Sequence, residues 1–84
     1  MNEPNESDIE ERVRAVIAKL FSVPANANAE DLRMGNPPAW DSIGHMELLV
    51  AVENEFKIRI PSHSIAALTT VESIVNAVRA HDGH

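Results

Sequence analysis

The stretch PPAWDSIGHMELLVAVENEF, residues 37–56, turns from a proline-broken loop into an apolar helix, with an Asp-Ser pair at the junction. Ile43, Met46, Leu49, Val50 and Phe56 recur at helical spacing, and Leu48 and Val52 widen the stripe. The spacing predicts a helix over 42–56, the most buried of the chain. The KIRIP segment that follows alternates like a strand. It is short and lacks a pairing partner, so it reads as an extended connector carrying Ile58 and Ile60 into the core.

Working outward, SHSIAAL after Pro61 has the length of one or two helical turns, with Ile65 and Leu68 facing inward. Thr69-Thr70 then precedes Val71, Ile74, Val75 and Val78, and Glu72 completes a Thr69-x-x-Glu capping box. That helix should end near Ala80, with the final HDGH frayed. On the N-terminal side, Ser7-x-x-Glu10 reads as another capping box. The stripe Ile9, Val13, Val16, Ile17, Leu20 and Phe21 predicts a first helix ending near Phe21. Between the two long helices, residues 22–40 hold three of the five prolines, Gly35 and three asparagines. This composition makes a loop, and a loop so long must be pinned or functional. Leu32, Met34 and Trp40 are the expected pins. The pattern is that of an all-α four-helix bundle with a long loop between helices 1 and 2 and a short third helix.

The 84 residues are 44% hydrophobic and 24% charged, which predicts one folded domain over 1–84, its ordered core about 7–80. With no cysteine, neither a disulfide framework nor a thiolate metal site is available. His63, His81 and His84 lack convergent carboxylates, so no metal site is expected. The polar, acidic start MNEPNESDIEER has neither the basic nor the apolar region of a secretion signal, and no run is long enough for a membrane span. The expectation is a soluble cytoplasmic monomer. Thirteen acidic residues against seven basic give a net charge of −6, which argues against nucleic acid and for a basic protein partner.

Asp and Ser both cap helices well, so the junction is doubly supplied. If Asp41 caps, Ser42 becomes the first helical residue with its hydroxyl facing solvent. The first turn of a helix offers free amides and partial positive charge to an anion such as a phosphodiester. No positioned base or Gly-rich phosphate loop is present, so this chain could not esterify Ser42 unaided, and an external transferase would be needed.

WDSIGHMELLVAVENEFKIRIP, residues 40–61, followed by TTVESIVNAV at 69–78, resembles the acyl carrier proteins and their aminoacyl and peptidyl carrier relatives. The shared features are an Asp-Ser-hydrophobic motif opening the second helix, a Glu-x-Phe end, an Ile-Pro connector and a Thr-Thr-Val start to the last helix. The resemblance covers about residues 7–80. It implies that Ser42 receives a 4′-phosphopantetheine arm from coenzyme A, that the arm carries an acyl or aminoacyl thioester between enzymes, and that the protein is not itself an enzyme. Asp41 matches the motif acid that assists the phosphopantetheinyl transferase and its magnesium ion. Ile43, His45, Met46, Glu47 and Glu53 are the expected partner-binding residues, for the transferase and for an acyl or aminoacyl ligase or synthase.

Two departures from the pattern matter. The lead MGNPPAW replaces a short Gly-hydrophobic entry, leaving Trp40 either a core plug or a wall beside the arm. Gly44-His45 stands where fatty-acid-synthesis carriers place an acid, which thins the acidic face and suggests a dedicated pathway. His45 is expected on the solvent side. By the same resemblance, Met46, Val50, Ile65 and Leu68 are candidates for a cargo lining between helices two and three. The alternative is an unmodified acidic adaptor in which Ser42 is only a cap.

Overall fold

The computed structural model describes residues 6–24 and 26–82. Within them lie four α-helices, α1 (Glu6–Phe21), α2 (Ser42–Phe56), α3 (Ser62–Ile65) and α4 (Val71–Asp82). A 3₁₀ turn over Ala29–Asp31 interrupts the long connection between α1 and α2. No strand occurs among the described residues, and residues 58–61 run as an extended connector. The all-α pattern expected from the sequence is the one observed.

α1 and α4 each bury the stripe their spacing predicts. Ile9, Val13 and Ile17 face inward from α1, and Val71, Ile74, Val75 and Val78 from α4. Each stripe occupies one side only, so there is a single way to bury it. α1 packs along both α4 and α2. Arg12 clamps α1 to the end of α2, with Nε donating to Glu55 Oε2 at 3.1 Å and the guanidinium 4.4 Å from the Phe56 ring centroid. The pair is exposed, so it contributes at most about 1 kcal/mol.

The starts of α1 and α4 differ from expectation by one or two residues. α1 begins at Glu6, which puts Ser7 inside the helix; the Ser7 side chain, and with it the expected box with Glu10, lies outside the described residues. At α4 the reciprocal cap is Thr70 with Ser73, not Thr69 with Glu72: the Ser73 amide donates to Thr70 Oγ1 at 3.1 Å and the Thr70 amide to Ser73 Oγ at 3.0 Å. A serine hydroxyl can serve the third position as glutamate does. α4 continues to Asp82; Gly83 and His84 lie outside the described residues.

α2 is where the expected face is wrong. Gly44, His45, Leu48, Leu49 and Val52 are its buried residues, whereas Ile43, Met46 and Val50 are 73%, 50% and 52% exposed. α2 is apolar nearly all round, so spacing alone does not choose its inner side. The choice is made by the junction before it, where Trp40 is fully buried and draws His45 inward with it.

The long loop is pinned as predicted, with Leu32 and Trp40 buried and Met34 packed against the core. Gly35 turns the chain at φ +98°, and its amide donates to the Trp40 carbonyl at 2.8 Å. The Met34 amide donates to the Thr69 carbonyl at 2.9 Å, which ties the loop to the start of α4. At the far end of α2, Lys57 adopts a left-handed φ of 56°, and Glu53 accepts from the Ile60 amide through Oε2 at 2.8 Å. The connector is thereby held so that Ile60 enters the core.

Candidate functional site

Asp41 is the N-cap of α2. Its Oδ1 accepts the Gly44 amide at 2.8 Å and its carbonyl accepts the His45 amide at 2.7 Å. Ser42 is therefore the first helical residue, exposed, with its hydroxyl not engaged as the cap. Because Asn caps about as well as Asp, while Ala loses about 1 kcal/mol, Asp41→Ala should lower unfolding stability by that amount and Asp41→Asn should not; urea titration reads both.

Gly44 sits where α2 touches the loop. A Cβ there would lie 2.2 Å from the Ala39 carbonyl oxygen and 3.1 Å from Phe21 Cε1. Only a residue without a side chain permits this approach. The position that carries an acid in fatty-acid-synthesis carriers is thus filled by glycine for a packing reason. A glycine in the first turn of an otherwise strong helix was the available signal for it.

Trp40, two residues before Ser42, lies in the core and not at the surface. Its ring stacks against Phe21, centroids 5.8 Å apart at 18°, while the His45 ring lies edge-to-edge with it, 6.1 Å apart and nearly coplanar at 19°. The indole Nε1 donates to His45 Nδ1 at 2.9 Å, and His45 Nε2 lies 2.8 Å from the Ile65 carbonyl oxygen. An exposed His45 reaching for a partner is therefore incorrect: the residue is 4% exposed and both ring nitrogens are engaged inside the protein. The cause is the indole N–H, which cannot be buried cheaply without an acceptor.

Glu53 is likewise not a free docking acid, because it is half-buried and holds the Ile60 amide. Glu55 is paired with Arg12. Of the α2 acids, Glu47 is exposed on the same side as Ile43, Met46 and Val50, since residues 43, 46, 47 and 50 share one helical face. Of the candidate cargo-lining residues, Met46 and Val50 are half exposed, Ile65 is half-buried and Leu68 is buried. Val50 was missed as a surface residue because apolarity was read as burial.

Among the described residues no group of three or more His, Asp or Glu is arranged to hold a metal ion, and no helix is long and apolar enough to cross a membrane. Residues 40–78 match the family model described as a phosphopantetheine attachment site. The match begins at Trp40, takes in the Asp41-Ser42 junction and runs through α3 into α4, the part of the bundle built around the geometry above. Over these residues the chain is similar to the phosphopantetheine attachment-site family, whose members bear covalently attached 4′-phosphopantetheine and are carriers, not enzymes.

Proposed function

We propose that Ser42 is the residue that bears the 4′-phosphopantetheine arm, and that the protein presents an acyl or aminoacyl thioester to the enzymes of a dedicated pathway. One observation carries this reading: Asp41 supplies the helix cap, which leaves the adjacent, exposed Ser42 hydroxyl without a structural duty. The residues fit the group. A phosphodiester on Ser42 would sit at the positive end of α2, where the first amides have no intrahelical acceptor. Asp41 uses one carboxylate oxygen for the cap and is exposed. It is the residue suited to hold a magnesium ion against the incoming pyrophosphate of coenzyme A in the transferase complex.

The partner surface is the outer face of α2, formed by Ile43, Met46, Glu47 and Val50 beside Ser42. Three half-exposed or fully exposed apolar side chains with one carboxylate make a face read mainly by shape and apolar contact, with charge secondary. A phosphopantetheinyl transferase and an acyl or aminoacyl ligase or synthase are the partners that this reading requires. The protein would act as a single domain and as a monomer.

Incubation with coenzyme A, magnesium and a promiscuous transferase should add one phosphopantetheine mass to the wild type and none to Ser42→Ala, which should keep its fold. Intact mass spectrometry and circular dichroism read the two results. A wild type left unmodified by a transferase active on a control carrier would return Ser42 to an inert helix position and favour the adaptor.

A further inference from the structure

The hydrogen bonds around Trp40 leave His45 a single neutral form. An indole N–H only donates, so His45 Nδ1 must be the unprotonated nitrogen; a carbonyl oxygen only accepts, so Nε2 must carry the hydrogen. One tautomer satisfies both contacts, and the chain of bonds runs from the loop exit at Trp40, through the first turns of α2 at His45, to the last residue of α3 at Ile65. Its Trp40–His45 half is shielded from water, with Trp40 fully buried and His45 4% exposed, and its Ile65 end is part-buried. Phe21 packs on the indole, ring centroids 5.8 Å apart.

We infer that this Trp40–His45–Ile65 chain latches α3 onto α2 and keeps cargo outside the bundle, which fits the protein to short or polar acyl groups, aminoacyl groups included, rather than long alkyl chains. The inference rests on Ser42 as the attachment point. An alkyl chain entering between α2 and α3 must part His45 from the Ile65 carbonyl or push Trp40 aside. Either movement leaves a buried donor or acceptor unpaired, which offsets what burying the chain gains. A long alkyl group kept outside stays largely in water, with only the open α2 face of Ile43, Met46 and Val50 to lie against. A short or polar group has no such need. α3 is a four-residue helix whose N-cap makes no side-chain hydrogen bond, so its position depends on such tertiary ties.

The test loads the full 84-residue protein, using a transferase and coenzyme A analogues, with hydrolysis-resistant acetyl or octanoyl arms. Mass spectrometry confirms loading, and NMR then reads the Trp40 indole N–H and the Ile65 and Leu68 amides, alongside the thermal midpoint. The expected result is that acetyl and octanoyl forms of the wild type share these shifts and the same Tm. Loaded His45→Ala should show octanoyl-specific shifts and a higher Tm with octanoyl than with acetyl. An octanoyl-specific shift of the Trp40 indole in the wild type, with a raised Tm, overturns the inference and leaves Ser42 attachment intact. A folded His45→Ala that responds to neither arm also overturns it, because His45 is then no latch. If that variant fails to fold, the wild-type comparison decides alone. A wild type that gains no mass overturns the attachment reading, and this inference falls with it.

Discussion

Trp40→Ala should leave the protein unfolded or close to it at room temperature. Removing a fully buried Trp ordinarily costs about 3–5 kcal/mol in lost burial and cavity. Here the indole also supplies the hydrogen for His45 Nδ1, and a buried acceptor stripped of its donor costs a further ~1–3 kcal/mol. A domain of this size has a total stability on the order of 4–12 kcal/mol, so a combined loss of about 4–8 kcal/mol consumes at least a third of it and up to all of it. The thermal midpoint should fall by roughly 20 °C or more, at about 4–8 °C per kcal/mol for so small a domain. Trp40→Phe separates the two contributions, since it keeps a ring against Phe21 and removes only the donor and some volume. Its loss should be well under half that of Trp40→Ala. Urea unfolding of the two variants, followed by circular dichroism because the only tryptophan is gone, gives the comparison. Equal losses would mean that ring packing contributes nothing beyond the hydrogen bond.

The reason Trp40 matters so much also explains what the sequence could and could not reveal. α1 and α4 were legible because Ile9-Val13-Ile17 and Val71-Ile74-Val75-Val78 leave one apolar side and one polar side each. α2 offers apolar residues in nearly every direction, and a pattern with no polar side carries no information about orientation. Its orientation is fixed by contacts at its first turn, between Gly44 and Ala39 and between His45 and Trp40, which belong to a loop without periodicity. The candidate site followed the same division. The helix start at the Asp41-Ser42 junction is a local consequence of sequence, which offered both residues as caps; the structure gives the cap to Asp41 and makes Ser42 the first helical residue. His45 and Glu53 were misplaced because their partners, the Ile65 carbonyl and the Ile60 amide, are backbone groups of later segments. A polar residue's exposure cannot be read from its own element when the group that satisfies it lies elsewhere in the chain.

Gly44→Ala is the sharpest test of that first-turn contact, because two rules predict opposite signs for it. Helix propensity says that alanine inside a helix is better than glycine by about 0.5–1 kcal/mol, so the substitution should stabilise α2. The geometry says otherwise, since the new methyl would lie 2.2 Å from the Ala39 carbonyl oxygen, far inside contact distance, with Phe21 Cε1 3.1 Å away on another side. The oxygen belongs to backbone, so no side-chain rotation relieves the contact. Ala39 cannot retreat alone either: the Trp40 amide donates to the Pro37 carbonyl at 2.9 Å, and the Trp40 carbonyl accepts the Gly35 amide at 2.8 Å, which makes the loop exit a closed turn. Overpacking of this kind costs about 1–3 kcal/mol, and because neither side can yield freely the upper part of that range is expected. Net destabilisation by about 2 kcal/mol should appear as a lower urea midpoint with an unchanged slope. The displaced first turn also carries Asp41 and Ser42, so folded Gly44→Ala should accept phosphopantetheine more slowly than the wild type at equal transferase. Gly35→Ala isolates backbone strain from overpacking: its Cβ meets nothing within 4 Å but its φ of +98° is strained for alanine, so it should lose stability without any clash. A higher midpoint for Gly44→Ala would show that the loop yields and that propensity governs the position.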